Sequence, residues 1–215
     1  MENPNLRHTT DTLCNGGKNM KLKYKVKFLD YWHISSGLSA GAKLDSTVVK
    51  DKDGLPYLSG KTLKGLAREM ALDFECDFID SCFGTTTDKK DKCYDKDKKK
   101  KEGICYFSNA KLPQAIADEI LENNLEDKLY DVIASTKIGQ KDKENETEGI
   151  AVDNSLREIE VVIPLTLEGY IDDVSSDYKD EMIQALKMIK RMGLNRNRGL
   201  GRCEICIEEE EKCKS

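Results

Sequence analysis

Arginine and glycine are concentrated in a short stretch near the end of the chain, GLNRNRGLGR at residues 193–202. Glycines let backbone N–H groups approach a phosphate closely, and guanidinium groups beside them can bind the same anion. The stretch, which we call the glycine–arginine loop, therefore predicts a phosphate-binding site. A flexible turn before the last strand is the alternative, because a short glycine pattern is a weak signal on its own. The candidate residues are Arg196, Arg198, Gly199, Gly201 and Arg202.

Basic residues also gather at the start of a predicted helix, in the sequence SGKTLKGLARE at 59–69. Backbone amides at a helix start favour phosphate, and Lys61, Lys64 and Arg68 fall in or near the first turns. Lys50 lies in the preceding loop and adds to the group. The alternative is a helix start with solvated lysines. Phosphate contacts of this kind hold a nucleic acid without reading its bases.

Charge is unevenly distributed along the chain. The formal net charge of −5 by itself speaks against a nucleic-acid-binding protein, but residues 182–203 contain six cations and no acid. One face of the protein can therefore attract a polyanion while the remainder repels it. No apolar run approaches the length of a transmembrane helix and no signal peptide is evident. We expect a soluble, cytoplasmic protein with no membrane partner.

Eight cysteines in a cytoplasmic chain argue against a disulfide framework, because thiols stay reduced in that compartment. Cys76, Cys82, Cys93 and Cys105 lie in or around a very polar segment at residues 84–103. Such a segment cannot fold by burying apolar side chains, and a Zn²⁺ ion held by four thiolates would fasten it. Unligated thiols are an equal alternative, because the spacing of the cysteines is irregular.

The periodicity of the apolar residues predicts an α+β domain. Leu22, Tyr24, Val26 and Phe28 alternate with lysines, which is the pattern of a half-buried strand. The elements follow a βαββαβ order, which predicts a ferredoxin-like (RRM-like) core with both helices on one face of an antiparallel sheet. The predicted core strands are residues 21–34, 104–112, 161–171 and 202–208, and the predicted core helices are residues 59–75 and 175–193. A further acidic helix, predicted at residues 113–124, is an insertion.

Two segments interrupt this core and two flank it. We predict a polar insertion at residues 76–105, which zinc would staple, and an arm or hairpin at residues 134–160. Residues 1–20 predict a disordered N-terminal tail, residues 21–207 a single domain, and residues 208–215 a charged tail.

Three motifs together resemble the RAMP superfamily of CRISPR-associated proteins. They are SGLSAGAKLDSTVVKDKDGLPYLSGKTLKGLARE at residues 36–69, GIAVDNSLREIEVV at residues 149–162 and LNRNRGLGRCEI at residues 194–205. The resemblance covers roughly residues 22–207 and is to the repeated backbone subunit of type III effector complexes. It implies a subunit that stacks with copies of itself along a CRISPR guide RNA. Target RNA and other effector subunits would be its further partners.

The resemblance implies that Asp45, in the small-residue loop, cuts the target RNA at regular intervals. The 2′-hydroxyl of RNA can attack the adjacent phosphate, and a carboxylate can assist its deprotonation or hold a divalent cation such as Mg²⁺. Without the resemblance, an aspartate in a Ser/Gly loop is more often a turn former.

Two other functions stay open beside cleavage by Asp45. One is a non-catalytic RNA-binding subunit of the same complex, and the other is a guide-processing ribonuclease that uses His33 as an acid or base. In the arm, Ile150, Val152 and Leu156 are candidates for wedging between bases, although packing within the arm is equally expected.

Overall fold

The structure is a computed structural model that describes residues 18–37, 44–136 and 155–208. Most of the predicted N-terminal tail, the tip of the arm with Ile150 and Val152, and most of the charged tail lie outside the described residues. In chain order the elements are β1 (Asn19–Phe28), α1 (Gly60–Ala71), α2 (Cys76–Cys82), β2 (Tyr106–Phe107), α3 (Gln114–Glu122), β3 (Tyr130–Ser135), β4 (Arg157–Val162), β5 (Thr166–Ser175), α4 (Lys179–Met188) and β6 (Cys203–Ile207).

β1 forms where apolar and basic residues alternate. Leu22, Tyr24, Val26 and Phe28 are at most 2% exposed, whereas the lysines between them are exposed or half-buried. Alternate side chains of a strand point to opposite faces, so this pattern buries one face of β1 in the core. The predicted half-buried strand is confirmed.

β1 is an inner strand of a four-stranded antiparallel sheet with the order β2-β5-β1-β6. Tyr24 lies opposite Gly169 of β5 and Ile207 of β6. A side chain at Gly169 would approach the Tyr24 hydroxyl group to 2.5 Å, which explains the glycine inside this strand. The Tyr24 hydroxyl donates to the carbonyl oxygen of Ser108 at 3.2 Å. The predicted α+β class with an antiparallel sheet is confirmed.

Helices α1 and α4 contact each other and the strands of the sheet. Gly60 begins α1 where its Cα lies against the carbonyl oxygen of Phe107, with no room for a side chain. Its N–H has no partner within the helix and donates instead to Asn109 Oδ1 at 2.9 Å. The buried residues of the two helices are Gly60, Leu63, Ala67, Ala71, Met182, Ile183, Ala185 and Leu186. No helix in the described ranges is both long and apolar enough to cross a bilayer.

Several predicted boundaries were wrong, including those of the strands at 21–34 and 104–112, which are shorter in the structure. The strand predicted at 161–171 is divided between β4 and β5, because Pro164 cannot donate to a ladder and interrupts the pairing. The helix predicted to reach Gly193 ends at Met188, after which Ile189 is extended with φ −71° and ψ 105°. The helix predicted at 59–75 ends at Ala71, and a separate short helix, α2, follows.

Aspartates fold the polar insertion without an apolar core of its own. Asp88, Asp91 and Asp95 each accept a hydrogen bond from a backbone N–H two residues further along, at 2.9–3.0 Å. These local turns are a known use of aspartate side chains. At the base of the insertion, the N–H of Thr85 donates to the carbonyl oxygen of Lys101 at 3.0 Å and closes the excursion.

The described part of the arm is the two-stranded antiparallel sheet of β3 and β4. It begins earlier than predicted, because Tyr130 already pairs with Val162. Val162 is fully buried and exchanges backbone hydrogen bonds with Trp32 at 3.0 and 2.8 Å. Leu156 precedes β4 and is 60% exposed. The arm is therefore fastened to the body at its base.

Candidate nucleic-acid interface

His33 lies where the chain after β1, the segment that contains Asp45 and Ser46, and strand β4 meet. Its side chain is completely buried, with Nδ1 2.6 Å from the carbonyl oxygen of Glu160 and Nε2 3.0 Å from Ser46 Oγ. A carbonyl oxygen only accepts, so Nδ1 carries a proton and donates to Glu160, while Nε2 faces the Ser46 hydroxyl group. A side chain without solvent access does not reach RNA. The predicted alternative role for His33, as the acid or base of a guide-processing enzyme, therefore lacks the necessary access.

Asp45 is exposed and lies against β4 at the base of the arm. Its N–H donates to the carbonyl oxygen of Glu158 at 2.9 Å, and the N–H of Glu158 donates to Asp45 Oδ2 at 2.8 Å. Next to it, the carbonyl oxygen of Ser46 accepts from the N–H of Glu160 at 3.1 Å. The segment therefore adds to the edge of β4 and holds the carboxylate at a fixed point on the surface.

A divalent cation at Asp45 would find few protein ligands. Within the described residues, no three His, Cys, Asp or Glu side chains form a group that could hold a metal ion. Mg²⁺ commonly binds one or two carboxylates and takes its remaining ligands from water and substrate phosphate. One exposed carboxylate fits that pattern and does not fit a site built from protein ligands alone.

Lys50, a predicted RNA contact, is held by a buried carboxylate that the sequence did not single out. Its Nζ lies 2.7 Å from Glu160 Oε1 and 3.7 Å from the centre of the Tyr130 ring. Glu160 Oε2 accepts from the N–H of Val48 at 3.0 Å. Leaving a buried carboxylate without its counter-ion typically costs about 3–5 kcal/mol, and the lower end applies because the Lys50 side chain is 35% exposed. This pair contributes to folding, and RNA binding by Lys50 stays a prediction.

The glycine–arginine loop is fastened at its base to the segment that contains His33. The N–H of Leu194 donates to the carbonyl oxygen of His33 at 2.9 Å, and the N–H of Gly201 donates to that of Tyr31 at 2.8 Å. Gly201 is buried with φ +69°, and a side chain there would overlap the Met192 carbonyl group. It is needed for packing. Gly199, with φ +91°, is exposed and has open space around it, so its backbone is accessible.

Two of the loop arginines have acidic partners. Arg196 lies 3.5 Å from Glu69 of α1, and Arg202 lies 3.1 Å from Asp30. Both pairs are solvent-exposed, and exposed pairs of this kind contribute at most about 1 kcal/mol. A phosphate can therefore compete for these guanidinium groups at little cost. Arg198 is exposed and makes no ion pair with another described residue.

The three basic side chains of α1 make different contacts. Lys64 Nζ donates to the carbonyl oxygen of Cys105 at 2.8 Å, and Arg68 lies 2.9 Å from Asp91 of the insertion. Partial burial alone would raise the pKa of Asp91, but the N–H of Cys93 and the Arg68 guanidinium hold it below its ordinary value. Arg68 thus anchors the insertion, which its helical position did not indicate. Lys61 is exposed at the helix start.

The predicted RNA-binding residues and Asp45 lie in two regions of the protein that contacts connect. Arg196 and Glu69 join the loop to α1, and His33 joins the loop to the segment of Asp45. Lys61 and Arg198 make no ion pair with another described residue, and Arg196 and Arg202 are in exposed pairs, whereas Lys50, Lys64 and Arg68 contact partly buried groups of the protein. The arrangement can bind a polyanion along α1 and the loop, with a carboxylate beside it.

The four cysteines of the predicted zinc site are divided into two pairs. Cys76 and Cys93 form a disulfide, with their Cα atoms 5.4 Å apart, and the thiols of Cys82 and Cys105 lie within hydrogen-bond reach of each other. A cysteine in a disulfide offers no thiolate, so the Cys76–Cys93 link removes two of the four ligands that one Zn²⁺ would need. The expectation of no disulfide was wrong, the four residues do not fit one zinc ion in this arrangement, and zinc binding stays a prediction.

We expect mass spectrometry of the alkylated protein to recover Cys76 and Cys93 as one linked peptide. The variants Cys76→Ser and Cys93→Ser should each make residues 84–103 sensitive to protease, and the double variant should add nothing further, because either change opens the same link. Cys206→Ser is the matched control, since that thiol is free and exposed. One tightly bound zinc with all four cysteines protected would contradict the pairing and restore the zinc site.

Comparison with known proteins assigns the chain to a family and a fold. The family model of the RAMP superfamily matches residues 25–204. A chain of the structure "Cryo-EM structure of the Type III-B Cmr-beta bound to cognate target RNA" superposes with a TM-score of 0.63 at 11% identity, covering 89% of this chain and 98% of that one. A chain of the Type III-B Cmr-beta apo state gives a TM-score of 0.61 at 11% identity, covering 87% and 97%. No curated protein sequence matches significantly.

Proposed function

Because the chain belongs to the RAMP superfamily, we propose that it is a guide-RNA-binding backbone subunit of a type III CRISPR interference complex. The observation that carries the proposal is the chain of contacts from the glycine–arginine loop through His33 to Asp45. It gives a basic surface for an RNA backbone and, at its other end, an exposed carboxylate. The likeness to a chain of a complex "bound to cognate target RNA" supports the same conclusion.

The proposal includes a ferredoxin-like core, which the strand order β2-β5-β1-β6 supports. Guide RNA would follow α1 and the loop, where Lys61 and Arg198 are exposed. Contacts with phosphates alone accept any guide sequence. Target RNA, other effector subunits and further copies of this chain in a filament would be the partners, and all would meet in the cytoplasm.

We further propose that Asp45 assists cleavage of the target RNA. The nucleophile would be the 2′-hydroxyl next to the scissile phosphate, and the carboxylate would orient that group and accept its proton. A bound Mg²⁺ would stabilise charge on the phosphate, with Asp45 as its protein ligand. The hydrogen bond from Glu158 to Oδ2 keeps the carboxylate at one point, as a positioned base requires.

The second candidate function is a non-catalytic RNA-binding subunit of the same complex. One observation favours it, since the backbone of Glu158 already uses one oxygen of Asp45 and would need that acceptor even without catalysis. Guide processing by His33 is disfavoured, because the imidazole is completely buried.

The number of copies bound per RNA tests the backbone-subunit proposal. If the chain assembles along a guide, mass photometry on guide RNAs of increasing length should find the copy number rising in regular steps. The matched control is single-stranded DNA of the same length, which carries the same charge but lacks the 2′-hydroxyl groups. A single bound copy at every RNA length would contradict assembly along the guide and leave a binding module of another kind.

A further inference from the structure

A cavity of about 240 Å³ lies between α1, the end of α4 and the glycine–arginine loop. Its apolar lining comes from Leu66, Met70, Met188 and Ile189. The helix α4 ends at Met188, where Ile189 turns away into an extended conformation. The early end of this helix thus leaves a recess between the two helices and the loop.

Cations surround this apolar recess. Lys190, Arg191 and Arg196 line it together with Asn197, and Glu69 is the one acid among the lining residues. Glu69 is already paired with Arg196 at 3.5 Å. Arg191 lies opposite Arg202 in an isolated antiparallel bridge, which brings a further cation to the same edge. Like charges held together on a surface attract an anion.

The lining is suited to an aromatic ring attached to a negative charge. The thioether groups of Met70 and Met188 contact aromatic rings favourably, and the charged rim is within the same cavity. A nucleotide combines a flat ring with a phosphate, so both parts find a partner of the right chemistry. Asn197 adds a side-chain amide that can donate to and accept from a base edge.

We propose that this cavity receives one unpaired nucleobase of a bound RNA strand, while the adjacent phosphate binds Lys190, Arg191 and Arg196. The inference rests on the proposed function and adds to it. The basic surface would hold the backbone through phosphates, and at this point the strand would also be held through a base. Contacts between thioether groups and a ring are favourable whichever base supplies the ring, so the site would fix the position of the strand without selecting a sequence.

Methionine methyl NMR on the full chain tests this directly. The chain has six methionines, which gives a simple ¹³C-methyl spectrum. We expect oligoadenylate to shift the methyl signals of Met70 and Met188 upfield, because a base ring lying against them shields them. Met20 in β1 and the fully buried Met182 are the internal controls and should not move.

An abasic ribose–phosphate oligomer of the same length separates base binding from phosphate binding. It should bind the chain more weakly and leave both methyl signals in place. Equal shifts with the abasic oligomer, or unmoved methyls while oligoadenylate binds, would overturn the cavity proposal and leave RNA binding intact. If neither oligomer binds, the proposed function fails together with the inference.

A variant that fills the cavity gives a second measurement. Met188→Trp should weaken binding of oligoadenylate about fivefold, the effect of losing the thioether contacts of one base ring, and should leave binding of the abasic oligomer unchanged. Leu125→Trp is the matched control, because Leu125 is 42% exposed and lies outside the cavity. Should Met188→Trp not fold, Met70→Trp replaces it. An equal loss for both oligomers would contradict a base in the cavity.

Discussion

Asp45→Ala is expected to lower cleavage of target RNA by about 100-fold or more, as the loss of a positioned acid–base or metal-binding group does. RNA affinity should stay the same or rise slightly, because one acid is removed from beside a polyanion. The measurement is single-turnover cleavage of a labelled target by the assembled complex. The products should end in a 2′,3′-cyclic phosphate, since the attacking group is the substrate's own hydroxyl.

Asp45→Asn distinguishes the chemical role from the structural one. Asparagine keeps an oxygen that can accept from the N–H of Glu158, so the segment stays attached to β4 while the charge is lost. We expect the same loss of cleavage as with alanine. Asp53→Ala is the control, because Asp53 lies in an exposed turn of the same region. Full activity of Asp45→Asn would reduce Asp45 to a turn former, and normal cutting of a target with a 2′-deoxy sugar at the scissile position would exclude the proposed nucleophile.

Replacement of Arg196, Arg198 and Arg202 by glutamine should weaken RNA binding and flatten its dependence on salt. Each lost phosphate contact to a single strand removes about 0.7 from the slope of log affinity against log salt, so the loss of three contacts should lower the slope by about two. Among the single variants, Arg198→Gln should have the largest effect, because Arg196 and Arg202 must leave Glu69 and Asp30 to bind a phosphate. Titrations over a series of salt concentrations measure this.

The control for the arginine variants is an equal change of net charge elsewhere. Lys96, Lys99 and Lys100 are exposed in the insertion, and their replacement by glutamine removes the same three charges. If that control lowers the slope as much as the arginine variant does, the attraction is a property of the net charge. An unchanged slope in the arginine variant would remove the glycine–arginine loop from the path of the RNA.

The central strand and the start of α1 could be predicted because local patterns indicate them. The alternation in β1 requires one buried face, and Ser59 and Gly60 mark the start of α1 in the sequence. The end of α4 could not be predicted, since the sequence from Met188 to Gly193 is as compatible with a helix as with the extended chain observed. Packing against the loop, which connects distant residues, decides that end.

The roles of the charged residues were harder to predict for the same reason. Arg68 follows Lys61 and Lys64 along one helix, yet its partner is Asp91, which lies in the insertion. Glu160 alternates with apolar residues in β4, which predicts an exposed side chain, and only Lys50 and the N–H of Val48 explain its burial. Asp45 could be found through its motif, whereas its attachment to β4 depends on pairing between segments far apart in the chain.

The position of His33 has a consequence for how the protein opens. Its carbonyl oxygen holds Leu194 of the glycine–arginine loop, and its ring holds Ser46 beside Asp45. Cooperative opening in proteins follows such shared contacts, so these two segments belong to one unit of local unfolding. A loop made rigid by bound RNA would slow the fraying of the segment that carries the carboxylate. Ordering of the glycine–arginine loop and attachment of Asp45 to β4 therefore belong to one conformational equilibrium.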